Sequence, residues 1–201
     1  MSAMKSSLYR NTQRITIDPG EHYVSRKPEV ISTLLGSCVA VCLYDPENRV
    51  HGMNHFLLAY NQSSKQTSII ESDNGRYGIY SMELLINDMM KKGADRTKLK
   101  AKCFGGGNVL KLQNDDWKRP TVGEVNVQFV REFLKSEKIP IVAACLGGDY
   151  GRNVHFVGEN FSVYVKRIGR SLEMAVLKDE RRFWKKSLDE TRHTTGNIDF
   201  W

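Results

Sequence analysis

"TLLGSCVAVCLYD", residues 33–45, decides the fold and poses the chemical question in one stretch. Two short apolar runs meet at Gly36-Ser37. "VISTLL" (30–35) is rich in β-branched residues and lies between Pro28 and Gly36, so it reads as a buried strand. "CVAVCLY" (38–44) reads as a second strand. Asp45-Pro46-Glu47-Asn48 is a turn, so 38–44 and "RVHGMNHFLL" (49–58) form a hairpin. Cys38 thus stands where a strand begins, directly after a Gly-Ser pair.

Outward from the hairpin, "EHYVS" (21–25) follows the Pro19-Gly20 turn signal as a short strand. Residues 60–77 are polar and read as a long loop, either a lid or a binding loop. Ile79, Met82, Leu85, Ile86 and Met89 fall at helical spacing, and Gly93 is a helix stop. "LKAKCF" (99–104) alternates like a strand and ends in Gly105-Gly106-Gly107. A second helix is expected over about 122–137, then strands at 139–146, 153–157 and 161–168. This order suits one α+β domain over 19–169, with packed sheets covered by helices. Residues 1–18 are expected to be a flexible basic arm. Residues 170–201 form a charged extension, in which Leu172, Val176, Phe183 and Leu188 allow a partly amphipathic helix.

The chain has 201 residues, 40% of them apolar, enough for one domain with a sizeable core. No apolar run reaches the roughly 18 residues of a membrane span. The N-terminus lacks the apolar centre of a signal peptide, so a cytoplasmic protein is expected. In that compartment Cys38, Cys42, Cys103 and Cys145 are expected to be free thiols; none forms a C-x-x-C pair. The net charge of +7 is concentrated towards the two ends, and the cluster at 178–186 suits an acidic surface. Basic and aromatic residues do not interleave on a core strand, so nucleic acid is not the expected partner.

For Cys38 the residues leave several roles open. Free cysteine is usually a small buried hydrophobe, and a Gly-Ser-Cys at a strand start is more often structural than catalytic. A metal set of Cys38, Cys42, His51 and His55 is one alternative. The other is a nucleophile. The hairpin places residue 38 opposite the middle 50s, where facing Cβ atoms lie about 5 Å apart, so His55 is the candidate base. His51 shares its parity but lies nearer the turn. Backbone N–H groups at Gly36 and Ser37 are candidate oxyanion donors, and Ser32, Thr33 and Ser37 are hydroxyls placed to orient a histidine.

The blocks "TLLGSCVAVCLYDP", "GMNHFLL", "RYGIYSMELLINDMMKKGADRTKLKAKCFGGG" and "GEVNVQFVREFLKSEKIPIVAACLGGDYGRNVHF", in this order, resemble the CheD family of bacterial chemoreceptor glutamine deamidases. The resemblance covers roughly 18–168. It implies a β-sandwich of mixed sheets flanked by helices. Cys38 would be the nucleophile and His55 the base. The family's upstream threonine falls on Thr33 by residue type, while Ser32 has its spacing. Cys145 stands where the family commonly has an acidic residue, and no role is carried onto it. The implied reaction is hydrolysis of receptor glutamine side chains to glutamate, releasing ammonia through a Cys-His thioester. Glutamyl methyl esters are a further implied substrate, with no cofactor and no metal. The implied partners are the cytoplasmic helical domain of methyl-accepting chemotaxis receptors and a CheC-type phosphatase. An adaptor that docks on either without chemistry is the alternative.

Overall fold

The structure is a computed structural model that describes residues 12–58, 73–109 and 120–194. Two mixed sheets carry the fold. The five-stranded sheet runs β2 (His22–Ser25), β5 (Val50–Phe56), β4 (Val39–Asp45), β6 (Lys100–Gly105), β7 (Ile141–Leu146), with only β6 and β7 parallel. The four-stranded sheet runs β1 (Arg14–Thr16), β3 (Val30–Leu35), β8 (Arg152–Val157), β9 (Val163–Arg167), with β1 and β3 parallel. β1 lies inside the stretch expected as a loose arm and is held by its pairing to β3.

Alternation along the strands builds two cores. Val39, Val41, Leu43, Val50 and Phe56 point to one side of the five-stranded sheet. There they meet Met82, Leu85, Ile86 and Met89 of α1 (Asp73–Lys91), and Val125, Phe129 and Phe133 of α2 (Val122–Ser136). Cys38, Ala40, Cys42, Met53 and Leu57 point to the other side, against Ile31, Leu35, Val154 and Phe156 of the four-stranded sheet. This is the α+β sandwich with flanking helices that the strand-rich pattern and the resemblance imply. Cys38 lies at one end of the layer between the sheets.

Three differences from the sequence reading matter for the site. The β4–β5 hairpin pairs Ala40 with His55 and Asp45 with Val50, two residues out from a register that sets 38 against 55. The cause is Asp45, which stays in the strand and accepts the N–H groups of Glu47 and Asn48, moving the reversal later. A slip of two keeps every side chain on its face. α1 also starts at Asp73, inside the stretch read as a loop; the rest of that loop, 60–72, lies outside the described residues. Position 78 of this helix has no room for a side chain: a Cβ on Gly78 would stand 2.5 Å from the Phe129 ring. Finally, the charged extension forms the helix it was expected to allow, α3 (Arg170–Thr194), but on a different face: Leu177 and Glu180 turn inward with Val176, while Leu172 is exposed.

Candidate active site

Residues 36–38 form a tight link between β3 and β4 whose polar groups are sorted by direction. Its three carbonyls face the protein body: Gly36 O accepts from Gly107 N (2.8 Å), Ser37 O from Asn126 Nδ2 (2.9 Å) and Cys38 O from Gly106 N (2.6 Å). Asn126, fully buried on α2, is itself fixed by Leu58 N (2.8 Å). With the carbonyls pinned, the three N–H groups face one point on the other side. Gly105 and Gly106 make this possible, at φ of 108° and 66°. A Cβ on Gly105 would collide with the Cys38 carbonyl oxygen.

That point is occupied by a carboxylate. Glu180 of α3 accepts from Gly36 N (2.7 Å), Ser37 N (3.0 Å), Ser37 Oγ (2.7 Å) and, at 3.3 Å, Cys38 N. Gly36 serves here by being small rather than by bending: its φ is not positive, and a Cβ on it would stand 3.0 Å from Glu180 Oε2.

Cys38 Sγ, a ring nitrogen of His55 and a carboxylate oxygen of Glu180 lie within 4.8 Å of one another, all buried. His55 reaches Cys38 diagonally across the pair, one step along its face from the opposed position. Thr33 Oγ1 lies 2.8 Å from His55 Nδ1 and donates its own proton to Ile17 O at 2.7 Å. A hydroxyl has one proton, so Nδ1 must be the donor and Nε2 carries the lone pair. Nε2 has no hydrogen-bond partner among the described residues. Ser32 points elsewhere, with Oγ 2.8 Å from His155 Nδ1. Of the three candidate hydroxyls, only Thr33 is joined to His55; Ser37 Oγ donates to Glu180 instead. His51 shares the face of His55 but sits edge-on to Phe156, away from Cys38.

Burial pushes the Cys38 thiol well above its ordinary range, and the Glu180 charge pushes it further. Burial also takes His55 down to about 4, against the pull of Glu180 and Glu21. With Glu180 in place, thiol and imidazole are therefore both neutral near pH 7. Cys42 is buried between the sheets and Cys103 against the helices, and burial pushes Cys103 to about 12. Among the described residues, one set has metal-ligand spacing: Cys38, His55 and Glu180. Cys42 and His51 are not in it. Both Glu180 oxygens already accept N–H or O–H groups, which is the environment of an anion in an oxyanion site rather than of a cation ligand.

A thiol, an imidazole with its free nitrogen unengaged, a hydroxyl fixing the other nitrogen and three convergent N–H groups have the form of a cysteine-dependent acyl-transfer site. Here it is set at the edge of a two-sheet α+β fold. The family model for "CheD chemotactic sensory transduction" matches residues 57–167. A Shewanella oneidensis protein named "Probable chemoreceptor glutamine deamidase CheD 2" is 46% identical over 195 residues, 96% of each chain. A Geobacter sulfurreducens protein named "Probable chemoreceptor glutamine deamidase CheD 1" is 44% identical over 93% of each. The "Probable chemoreceptor glutamine deamidase CheD" of Hahella chejuensis is 38% identical over 92% of this chain and 83% of its own. This chain belongs to the CheD family. The Shewanella match runs through position 180, so the likeness extends beyond 168 into α3.

Glu180 and Asn126 were not singled out from the sequence. Glu180 is one acid in the basic run "KDERRFWKK" and carries no local mark of its role. The triple glycine after "KAKCF" was visible, but only as a strand end.

Proposed function

We propose that this protein is a glutamine deamidase acting on chemoreceptors, with Cys38 as nucleophile and His55 as general base and acid. Thr33 positions the imidazole. His55 Nε2 takes the Cys38 proton, and Sγ attacks the carboxamide carbon. The developing oxyanion is held by the N–H groups of Gly36, Ser37 and Cys38. His55 returns the proton to the departing ammonia, and water activated by the same nitrogen hydrolyses the thioester to glutamate. The convergence of those three N–H groups beside the thiol carries this reading.

The substrate would be a glutamine on the cytoplasmic helical bundle of a methyl-accepting receptor, which places the enzyme in the cytoplasm. A glutamyl methyl ester would pass through the same thioester. The exposed basic residues of α3 suit acidic partners, whether that bundle or a CheC-type phosphatase. Incubation with a receptor cytoplasmic fragment, followed by peptide mass spectrometry, should show amide-to-acid conversion at glutamine with the native protein and none with Cys38→Ala. Conversion at an undiminished rate with Cys38→Ala would reject the mechanism.

A further inference from the structure

α3 meets the rest of the protein along one face. Val176 and Leu177 are buried, Glu180 comes next on that face, and Phe183 packs beside Gly20, with its ring 6.3 Å from that of Tyr77. Lys178, Asp179, Arg181 and Arg182 lie on the outer face. Farther towards the start of the helix, Glu173 accepts from Gly151 N at 2.8 Å.

Glu180 is 2% exposed, and among the described residues no lysine or arginine pairs with it. Burying a carboxylate without a cation is unfavourable unless hydrogen bonds replace its lost hydration. The replacements here are the N–H groups of residues 36–38 and the Ser37 hydroxyl, beside Cys38 Sγ. A glutamate side chain is what glutamine becomes when its amide is hydrolysed: the same carbons, with oxygen in place of the amide nitrogen. Side chain, oxyanion donors and nucleophile are arranged as an enzyme–product complex within one chain.

We propose that α3 is this enzyme's own product-like occupant, closing the site until a substrate displaces it. The proposal rests on the deamidase reading above and adds regulation to it. The enzyme with α3 docked is self-inhibited, its thiol shielded from water and from reagents.

The geometry makes one sharp demand: a glutamine at position 180 sits where a substrate would. Cys38 Sγ would bond to the residue-180 Cδ as the C–N bond breaks, and ammonia would leave with the proton held by His55. Water would then cleave the thioester, restoring the Cys38 thiol and leaving glutamate. The full-length Glu180→Gln protein should therefore be recovered with glutamate at 180, while Glu180→Gln combined with Cys38→Ala keeps its glutamine. Peptide mass spectrometry reads both. In a Cys145→Ser background, Glu180→Ala should speed alkylation of Cys38 by iodoacetamide about tenfold or more, because losing hydrogen bonds to a charged acceptor weakens docking of α3 by at least that factor. If residue 180 stays glutamine in a protein that still deamidates a receptor fragment, the proposal fails and the deamidase reading stands. Should neither residue 180 nor the fragment be converted, the deamidase reading fails and takes the proposal with it. Equal conversion without Cys38, or Cys38 alkylation unchanged by Glu180→Ala, also overturns it.

Discussion

At the scale of single residues, the decisive feature is a proton count. Thr33 has one hydroxyl proton and gives it to Ile17 O, so its oxygen can only accept from His55 Nδ1. That fixes the tautomer that leaves Nε2 free to take a proton from Cys38. Thr33→Val removes the acceptor, and receptor deamidation should slow about 10- to 100-fold, the equivalent of one buried hydrogen bond. Thr33→Ser should restore most of the rate, and Ser32→Ala, whose partner is His155, should leave it within about twofold. A larger loss from Ser32→Ala than from Thr33→Val would reject this assignment. The thiols sort by the same reasoning. Cys38, Cys42 and Cys103 are buried, with pKa values pushed up. Cys145 is half-buried; burial alone would raise it, but the hydrogen bond from Arg152 and the nearby Tyr150 and Arg167 bring it below its ordinary range. Alkylation of the native protein should therefore label Cys145 first, and peptide mapping after limited iodoacetamide treatment would show this. Early labelling of Cys38 would mean that α3 is seldom docked.

At the scale of elements, the site depends on a clamp made by two links that are remote in sequence. Gly105–Gly107 hold the carbonyls of 36 and 38, and Asn126 holds that of 37. Gly105→Ala puts a side chain at φ 108° and against the Cys38 carbonyl. It should cost at least about 1–3 kcal/mol in backbone strain alone, read as a lower unfolding midpoint, with activity falling further than stability. A variant with native stability and activity would mean that the clamp does not shape the N–H groups. Strands β3 to β5 and the helices α1 and α2 were legible because their side-chain period reports burial directly: 30–35, 39–45 and 122–136 all fall within a residue or two of the expected bounds. Cys38 and His55 could be placed together because a hairpin fixes which face each residue occupies, even with the register two residues off; Thr33, on β3 in the other sheet, was singled out only through the family resemblance. What escaped was non-local. The parallel pairs β1–β3 and β6–β7 follow from no local signal. Gly75 and Gly78 hid the start of α1; at Gly78, close packing against Phe129 outweighs the low helix propensity of glycine.

At the scale of the whole molecule, two sheets with apolar facing surfaces enclose histidines that cannot be solvated. His51 is fully buried, and among the described residues neither of its ring nitrogens has a hydrogen-bond partner. Burial takes its pKa down to about 4, with Glu29 pulling upward and Arg49 downward. His55 is also at about 4; His155, half-buried on the outer face of the four-stranded sheet, is lowered in the same direction by burial and by Arg14. In the unfolded chain each of these would take up a proton near its ordinary value of about 6.5. Between about pH 6.5 and 4 the unfolded state thus binds more protons than the folded one, and stability falls as pH falls. The contribution is present in full above that window; below it both states are protonated and the difference stops growing. Each fully displaced histidine adds a slope of up to about 1.4 kcal/mol per pH unit. His51→Leu removes one of them. Because the imidazole it replaces is buried and unpartnered, the substitution should change stability near neutral pH by no more than about 1 kcal/mol. Denaturant unfolding from about pH 7 down to about pH 4.5 should then show a shallower loss for His51→Leu than for the native protein, the two curves separating as the solution becomes more acidic. Parallel curves would mean that His51 is protonated or solvated in the folded state, and that the layer between the sheets is wetter than its packing indicates.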